Sequence, residues 1–364
     1  MANIKNKLLK FNSNDHPIFL SSDKELDSFI SNSNVVYVDA YARQMKELFF
    51  IDNTKYIGED KESIYGSDEF KKYADSKDGQ YQYFYYPWNG HIVKCINGED
   101  YFRLKTNRNQ DLITASEQIK LYNYKVAVFG MSVGSNIAFV LTQAGISKRI
   151  TIADFDELDT TNLNRILAGV HQIGVNKTIV AARRIYEDNP YAEVKILPDG
   201  ISEDKLEEML KNKEIDCIVE EIDDIRVKLQ TRILAIKYKI PVVMITDNGD
   251  DVVLHIERYD LGHNKIFGKE VESWQERINN KTPFTKMEAG QIIIGDIVGG
   301  SDKVDPKMMA SVKRVLNKEL VSWSQLGSAA LLGGVVSTVA IKRIVLGETR
   351  DLDIREYIGV PKFK

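Results

Sequence analysis

The chain has 364 residues and a mass of 41.4 kDa, and 43% of its residues are apolar, 28% charged and 9% aromatic. This composition excludes a disordered, collagen-like or coiled-coil protein, and the length suggests two domains, or one large α/β domain with a smaller one attached. The net charge of −4 indicates no excess of basic residues for binding phosphate groups, so nucleic acid is not expected as a partner. Two cysteines, Cys95 and Cys217, are too few for a disulfide framework or a four-cysteine zinc site.

Neither a secretory signal nor a membrane span is predicted. Residues 1–10 lack the apolar core and the cleavage site of a signal peptide. The most apolar stretch, residues 326–341, is 16 residues long and contains glycine and serine, which predicts a buried helix. Together with the few cysteines, these features predict a cytoplasmic protein with no membrane partner.

Residues 1–105 predict a small α+β domain whose clearest feature is a hairpin. The β-prone residues 81–88 and His91–Ile96 stand on either side of Asn89-Gly90, a strong two-residue turn signal. The aromatic side chains of the first run suit either base stacking or core packing, and because no basic residues are interleaved, core packing is favoured. The pattern before the hairpin predicts a helix at residues 23–30, a strand at 35–38, a helix at 41–50 and a polar connection at 52–79.

From residue 125 onwards, strands and helices alternate strictly. This order predicts an α/β domain with a mostly parallel, doubly wound, Rossmann-like sheet and right-handed crossovers. We expect the domain to occupy residues 106–364, with its core at 124–260 and a crossover segment and helices at 261–364. The predicted strands are 125–129, 149–153, 193–197, 215–219, 241–245 and 251–259, and the predicted helices are 135–144, 177–186, 202–210, 225–238, 306–320 and 325–346.

A glycine loop, residues 130–134, joins the first of these strands to the first helix. Gly130 and Gly134 let the backbone approach a phosphate, and the start of the helix supplies unpaired N–H groups. Ser132 holds an inner position, so the three-glycine dinucleotide fingerprint is incomplete, and a tight packing turn is the alternative. Asp154 ends the next strand, where a carboxylate can accept both ribose hydroxyl hydrogens. These residues predict an adenosine nucleotide but do not separate NAD from ATP.

Charged residues further along favour ATP. Arg165 and Lys177 supply cations for phosphate groups, and Asp223, at the carboxyl end of a strand, is placed to hold Mg²⁺. Each has a plainer interpretation, since an arginine forms surface ion pairs and a lysine in a first helical turn is commonly solvated. Asp223 or Asp224 suits the cap of the following helix, and Asn162 suits a turn. Their occurrence together at these places favours a nucleotide site.

The combination of Asp-Phe-Asp at 154–156, Asn-Leu-Asn-Arg at 162–165 and Gly-x-x-Lys at 174–177, followed by Asp223, resembles the ThiF/MoeB family. These are bacterial adenylyltransferases related to ubiquitin-activating enzymes. The resemblance covers about residues 107–259, with a weaker match in the C-terminal helix. The Gly-x-Ser-Val-Gly loop is most similar to a ThiF-like group in which some members carry a nitroreductase-like domain.

The resemblance implies ATP and Mg²⁺ as cofactors and a homodimer as the assembly. It implies that Asp154 holds the ribose, that Asp223 coordinates Mg²⁺, and that Arg108 reaches into the active site of the partner subunit. The residues implied to bind the nucleotide are Gly130, Ser132, Gly134, Asp154, Asp156, Asn162, Arg165 and Lys177, and those implied to be catalytic are Arg165, Lys177, Asp223 and Arg108.

Two departures from the family pattern concern the loop and the cysteines. The glycine loop is one residue shorter than the usual run, which alters the expected grip on the β-phosphate. Relatives that form a thioester or persulfide place a cysteine after the sheet, whereas this chain has none after Cys217. Cys217 lies in a predicted buried strand, where a thiol is inert, and the five histidines show no close metal spacing. We therefore expect adenylation without covalent transfer to the protein.

The sequence thus predicts an ATP-dependent adenylyltransferase that activates a carboxylate with release of pyrophosphate. The carboxylate belongs either to a peptide or small-protein C-terminus or to a small acid. Residues 1–105 and 265–303 are the expected sources of selectivity, and residues 247–251 form either a substrate contact or a plain acidic turn. The alternatives are a non-catalytic nucleotide-binding scaffold, which the shortened loop favours, and an NAD-dependent oxidoreductase on the same fold.

Overall fold

A computed structural model describes residues 15–31, 35–280 and 282–361, which form two compact units. The first unit extends to Gln118 and includes Asn189–Tyr191, and the second contains Ile119–Asp188 and the residues from Ala192 onwards. The predicted boundary between residues 105 and 106 falls inside a helix of the first unit, Gly98–Thr106. Residues 1–10, for which the sequence predicts no secretory signal, lie outside the described residues.

The first unit contains a four-stranded sheet in the order β1-β3-β4-β2. The hairpin of β3 and β4 is antiparallel, as predicted, but Tyr86 pairs with His91, so the connecting loop has four residues rather than two. Pro87 cannot donate to the ladder, and the N–H groups of Asn89 and Gly90 both bond to the carbonyl of Tyr86. The strands are β1 (Ile18–Leu20), β2 (Val36–Asp39), β3 (Tyr81–Tyr86) and β4 (His91–Ile96).

The aromatic run of β3 packs in the core of this unit, since Tyr83, Phe84 and Tyr86 are all buried. Two short helices, α3 and α4, occupy the predicted polar connection. They begin at side-chain caps, because Asp60 accepts from the N–H of Ser63 and Ser67 from that of Phe70. The helices of the unit are α1 (Asp23–Ser31), α2 (Tyr41–Asp52), α3 (Lys61–Gly66), α4 (Asp68–Ser76) and α5 (Gly98–Thr106).

The second unit contains a seven-stranded sheet in the order β13-β10-β9-β8-β5-β6-β7. Strands β5 to β9 are parallel, and β10 and β13 add to one edge in antiparallel orientation. The predicted α/β class with a mostly parallel, doubly wound sheet is therefore confirmed. The strands of the sheet are β5 (Val126–Phe129), β6 (Arg149–Ala153), β7 (Glu193–Leu197), β8 (Cys217–Glu220), β9 (Val242–Asn248), β10 (Asp251–Glu257) and β13 (Asp353–Ile358), and β11 (Lys265–Ile266) pairs with β12 (Lys269–Glu270) in a separate ribbon.

Helices cover both faces of this sheet, as the alternating pattern predicts. The irregular stretch after β10 packs its apolar side chains against α10 and β9, in a cluster that includes Trp274, Met244 and Leu229. The remaining helices are α6 (Ala115–Asn123), which begins in the first unit and ends in the second, α7 (Gly134–Gln143), α8 (Lys177–Asp188), α9 (Glu203–Lys211), α10 (Ile225–Tyr238), α11 (Val271–Asn279), α12 (Lys286–Gln291), α13 (Pro306–Leu316) and α14 (Gly327–Leu346), and a π-helix spans Ile292–Ile297.

Among the described residues, α14 is the one helix long and apolar enough to cross a membrane by length and composition. It has 20 residues, more than the 16 of the apolar stretch seen in the sequence, so length alone does not separate it from a span. Half of its most apolar window is buried, and the helix packs against α7, β9 and β10. The packing is that of a core helix, and the lack of a membrane partner stays a prediction.

A buried network of side-chain ion pairs connects α10 to the sheet. The Arg232 side chain is completely buried; its Nε donates to Glu257 at 2.6 Å and one Nη to Glu220 at 2.7 Å. Lys228, one turn earlier, reaches both oxygens of Glu220 at 3.2 Å. The guanidinium also lies 4.3 Å from the centre of the Phe267 ring. The network joins α10 to strands β8 and β10 and so fixes the start of α10.

Candidate functional site

The carboxyl ends of β5 and β8 meet where the strand order of the second sheet reverses. The chain runs from β5 through β6 to β7 on one side and then returns to β8 on the other side of β5. In open α/β sheets, ligands bind in the crevice at such a switch point. The glycine loop follows β5 and Asp223 follows β8, so the fold brings these predicted site residues to the same crevice.

The glycine loop has a backbone that requires glycine. Gly130 has a φ of 88°, and a Cβ there would lie 2.5 Å from the carbonyl oxygen of Glu221. A Cβ on Gly134 would lie 2.9 Å from a methyl group of Val128. Helix α7 begins at Gly134 without a side-chain cap, so no side chain satisfies the N–H groups at its start, which are the groups that bind anions at helix N-termini. The turn is therefore consistent both with tight packing and with phosphate binding.

Asp154 has a structural role besides the predicted one. Its Oδ2 accepts from the N–H of Met131 at 2.6 Å and its Oδ1 from the N–H of Asp156 at 2.8 Å. These bonds tie the end of β6 to the glycine loop. A carboxylate has about four lone-pair sites, so Asp154 retains capacity for ribose hydroxyls, and that role stays a prediction.

Arg165 is held against the glycine loop. Its Nε donates to Ser132 Oγ at 2.9 Å, and one Nη donates to the Thr161 carbonyl at 3.2 Å and to Asn164 Oδ1 at 3.0 Å. The fully buried Asn136 fixes the backbone, because its Nδ2 donates to the Arg165 carbonyl at 2.9 Å. Burial lowers the pKa of Arg165, although a guanidinium remains charged. The structure thus presents a fixed cation beside Ser132.

Asn136 is a residue that the sequence analysis missed, because an asparagine inside a helix carries no motif signal. Asn162 was singled out, and it forms the turn that was its plainer interpretation. Its Oδ1 accepts from the N–H of Asp159 at 2.9 Å within a capping box of the 3₁₀ helix Thr160–Asn162. Its predicted contact with the triphosphate stays a prediction.

Lys177 is the first residue of α8 and is 8% exposed. Its Nζ forms an ion pair with Asp156 Oδ2 at 2.7 Å, and Asp156 is itself exposed. A buried ammonium whose carboxylate partner faces solvent can exchange that partner for a phosphate. The plainer interpretation of Lys177 as a solvated first-turn residue is wrong in this respect, since the side chain is buried.

Asp223 and Asp224 have separate roles. Asp224 caps α10, accepting from the N–H groups of Arg226 at 2.7 Å and Val227 at 3.2 Å. The Asp223 residue is exposed, and its carboxylate accepts no hydrogen bond from the described residues. It lies in a crevice, and desolvation by the surrounding protein raises its pKa despite the opposing effect of Lys228. The carboxylate that does not cap the helix is therefore the one available to a cation.

Asp247, near the end of β9, is a second carboxylate beside this crevice. It is 7% exposed, and neither of its oxygens has a hydrogen-bond partner among the described residues. Burial raises the pKa of Asp247 to about 6, a shift that Arg165 opposes and Asp223 reinforces. Carboxylates at such a crevice fit Mg²⁺, which prefers oxygen ligands and commonly uses one or two carboxylates. Of the acidic segment 247–251, it is Asp247 whose side chain is buried next to predicted site residues.

Replacing Asp247 by asparagine is expected to raise the free energy of unfolding of the metal-free protein by about 2 kcal/mol at neutral pH. The folded-state pKa lies above the unfolded one, so the charged carboxylate costs stability at neutral pH. That cost fades as the pH falls through 6 and is absent well below about 4, where the side chain is protonated in both the folded and the unfolded state. Denaturant unfolding at several pH values measures the gain, with the exposed Asp199→Asn as control. A gain that does not shrink in acid would contradict this prediction.

Arg108 belongs to the first unit. It lies in the 3₁₀ helix Asn107–Asn109, and its side chain is exposed. No hydrogen bond or ion pair joins it to the residues that the structure describes. Its predicted place in the active site of a partner subunit stays a prediction.

The two cysteines are buried thiols. Burial raises the pKa of Cys95 to about 11 and also raises the pKa of Cys217, which is completely enclosed in β8. A thiol with a raised pKa forms little thiolate, so neither cysteine has the environment of a reactive thiol. Within the described part of the chain, no three metal-ligating side chains cluster together.

A glycine loop, two cations and two carboxylates at the switch point of a mostly parallel sheet define a nucleotide-binding α/β domain. Residues 104–246 match the model of the ThiF family. The resemblance to the ThiF family seen in the sequence is therefore confirmed for this segment, while the finer similarity to the group with nitroreductase-like domains stays a prediction.

Three relatives illustrate the match. The uncharacterized protein MT1398 of Mycobacterium tuberculosis is 32% identical over 72% of this chain and 36% of its own length. Ubiquitin-like modifier-activating enzyme 5 of Bombyx mori is 34% identical over 27% of this chain and 24% of its own. The adenylyltransferase and sulfurtransferase UBA4 of Candida albicans is 39% identical over 24% of this chain and 20% of its own. The chain therefore spans about a third or less of the curated relatives it matches.

A solved structure shares the fold. The E. coli tRNA N6-threonylcarbamoyladenosine dehydratase TcdA, in complex with AMP, aligns with a TM-score of 0.50 at 18% identity. The alignment covers 68% of this chain and 97% of that one. At this identity the comparison supports the architecture of the second unit.

Proposed function

We propose that the protein is an ATP-dependent adenylyltransferase that converts a substrate carboxylate to an acyl-adenylate. The observation that carries this proposal is the meeting of the glycine loop, Arg165 and Asp223 at one switch point, with Lys177 placed at the start of α8 nearby. Positive groups beside a phosphate loop suit displacement at phosphorus. A nicotinamide pocket needs no such set of cations and carboxylates.

The family relationship supports the same activity. Residues 104–246 match the model of the ThiF family, and one relative carries the name adenylyltransferase while another is named a modifier-activating enzyme. The shared segments cover only part of those proteins. The activity is therefore proposed for this chain from two arguments together, the family match and the residues of the candidate site.

In the proposed reaction, a carboxylate oxygen attacks the α-phosphorus of ATP in line. The new P–O bond forms as the bond to the bridging oxygen of the β-phosphate breaks, and pyrophosphate leaves with that electron pair. Arg165 and Lys177 bind and orient the phosphates and stabilise the charge that develops on the leaving group. Mg²⁺ held by Asp223 would supply further neutralisation of phosphate charge. The glycine loop contributes the N–H groups at the start of α7.

The second step is proposed to proceed without an enzyme thioester. The chain has no cysteine after Cys217, and the Cys217 thiol is enclosed with a raised pKa. The acyl-adenylate would therefore react directly with an amine, amide or thiol of a second substrate, or with a nucleophile of the same peptide. The acyl group is that of a peptide or small-protein C-terminus or of a small acid, and residues 1–105 and 265–303 are proposed to select it.

Replacing Asp223 by asparagine is expected to remove the magnesium dependence of ATP binding, lowering the affinity for Mg²⁺·ATP by about tenfold or more. Calorimetric titration with ATP, in Mg²⁺ and in chelator, measures this effect, with NAD titrated in parallel. Asp224→Asn is the matched control, because asparagine is also a good helix cap and Asp224 is engaged in capping. Tight binding of NAD, or ATP binding that ignores Mg²⁺ in the wild type, would contradict the proposed function.

A homodimer is proposed as the working assembly. Leu331, Val335 and Val339 of α14 are 43%, 50% and 38% exposed and lie four residues apart on one side of the helix. An exposed apolar stripe of this kind supports association with a second copy. In such a dimer Arg108 would act in the site of the partner subunit, as the family resemblance implies.

Mixed dimers test the role of Arg108. Arg108→Ala and Arg165→Ala are each expected to weaken ATP binding, and co-expression of the two is expected to restore tight sites in about a quarter of the subunits. Half of the dimers are then mixed, and each mixed dimer has one intact site. The stoichiometry of Mg²⁺·ATP binding measures this fraction. A mixture that binds no better than the single variants would exclude action in the partner's site.

A further inference from the structure

We propose that Asp247 and Asp223 together form one divalent-cation site, in which Asp247 is a second protein ligand. This inference rests on the proposed function, because the cation would be the one that accompanies the nucleotide. It adds a ligand from β9 to the one that the family resemblance assigns after β8.

The two carboxylates lie near the carboxyl ends of two neighbouring parallel strands. Strand β8 ends at Glu220, three residues before Asp223, and its neighbour β9 contains Asp247 and ends at Asn248. The charge of Asp223 acts on Asp247, and each carboxylate lies close enough to Arg165 for their charges to interact. The two groups therefore occupy adjacent positions at the carboxyl edge of the sheet.

The side chain of Asp247 lies on the face of the sheet that carries the glycine loop. Ile245 and Asp247 are two residues apart on β9, so they share one face. A Cβ on Gly333 of α14 would lie 3.0 Å from Ile245 and 3.3 Å from Val133, a residue of the glycine loop. Asp247 is thus enclosed on the side where the phosphates would lie.

The burial of the Asp247 carboxylate favours the binding of a cation beside it. A carboxylate that is 7% exposed, with both oxygens unpartnered among the described residues, is costly to bury as an anion. Arg165 donates its described hydrogen bonds to Ser132, Thr161 and Asn164 and none of them to Asp247. A divalent ion shared with Asp223 would satisfy both carboxylates at once.

The number of ligands suits Mg²⁺ or Mn²⁺ with a nucleotide. Mg²⁺ typically takes one or two carboxylates and completes its octahedron with phosphate oxygens and water. The described residues contain no cluster of three or more metal-ligating side chains, as a closed protein cage would require. Two carboxylates at an open crevice therefore indicate a site that the nucleotide completes.

Binding of Mn²⁺, followed by electron paramagnetic resonance, tests the proposal on the full-length chain with a non-hydrolysable ATP analogue. Asp247→Asn is expected to lower the Mn²⁺ affinity of the complex about tenfold or more, while analogue binding in chelator stays unchanged. Asp250→Asn, an exposed residue of the same turn whose carboxylate accepts from Ser328, is the matched control.

The outcomes separate the two hypotheses. If Asp223→Asn weakens Mn²⁺ binding and Asp247→Asn behaves as Asp250→Asn does, the second ligand is excluded and the proposed function stands. If the wild type shows no analogue-dependent Mn²⁺ binding, the proposed function itself fails. If Asp247→Asn weakens analogue binding equally in chelator, Asp247 contacts the nucleotide rather than the metal, and the proposal is overturned.

Discussion

Replacing Arg165 by alanine is expected to weaken Mg²⁺·ATP binding by about 10- to 100-fold. The guanidinium is already oriented by Ser132 and Thr161, and one of its Nη atoms donates no hydrogen bond to a described residue. A charge-assisted hydrogen bond to phosphate contributes about 1.5–3 kcal/mol, and every 1.4 kcal/mol corresponds to about tenfold in affinity. Isothermal titration calorimetry with Mg²⁺·ATP measures the loss.

Two variants control this experiment. Arg149→Ala removes an exposed arginine at the amino end of β6, where the partner is Glu193, and should leave ATP binding unchanged. Arg165→Lys retains the charge but loses the planar fork, so an intermediate affinity is expected. Thermal unfolding of each variant shows whether loss of the bond to Ser132 disturbs the glycine loop. Equal affinities for Arg165→Ala and Arg149→Ala would exclude a phosphate contact.

Replacing Arg232 by methionine is expected to lower the free energy of unfolding by about 3–5 kcal/mol. Glu220 and Glu257 are both buried and both bond to this guanidinium, so the variant leaves carboxylates without their main partner in the core. Methionine fills a similar volume, which limits the contribution of a cavity. Denaturant unfolding measures the difference from the wild type.

The matched variant is Arg149→Met, which breaks an exposed ion pair and is expected to change the free energy of unfolding by less than about 1 kcal/mol. Adding Glu257→Gln to Arg232→Met should recover part of the loss, because this buried carboxylate is then neutral while Glu220 keeps its ion pair with Lys228. A loss for Arg232→Met no larger than that for Arg149→Met would contradict a stabilising role of the network. Since α10 follows Asp223 directly, the variant should also weaken Mg²⁺·ATP binding at temperatures where it remains folded.

The sequence predicted the parallel half of the sheet because short strand-like runs alternate strictly with helical patterns. Arg149–Ala153, Glu193–Leu197 and Ile225–Tyr238 have the predicted bounds. Strand β13 was missed, since it lies at a sheet edge, is mostly exposed and carries charged residues that conceal the β pattern. Helices α3 and α4 were missed because their stability depends on caps and on packing of residues such as Phe70.

The sequence by itself determined the resemblance to the ThiF family and the candidate residues near the glycine loop, because these lie within short motifs whose spacing local backbone geometry fixes. Gly130, Asp154 and Lys177 needed only the order of strand, turn and helix to be placed. The tertiary structure decided which residues of separate motifs meet. Asn136 belongs to no motif, and for Asp247 the sequence left a substrate contact and a plain acidic turn open; the roles of both follow from burial and from neighbours more than 20 residues away along the chain. Burial and long-range neighbours depend on the packing of strands and helices, which a local sequence pattern does not encode.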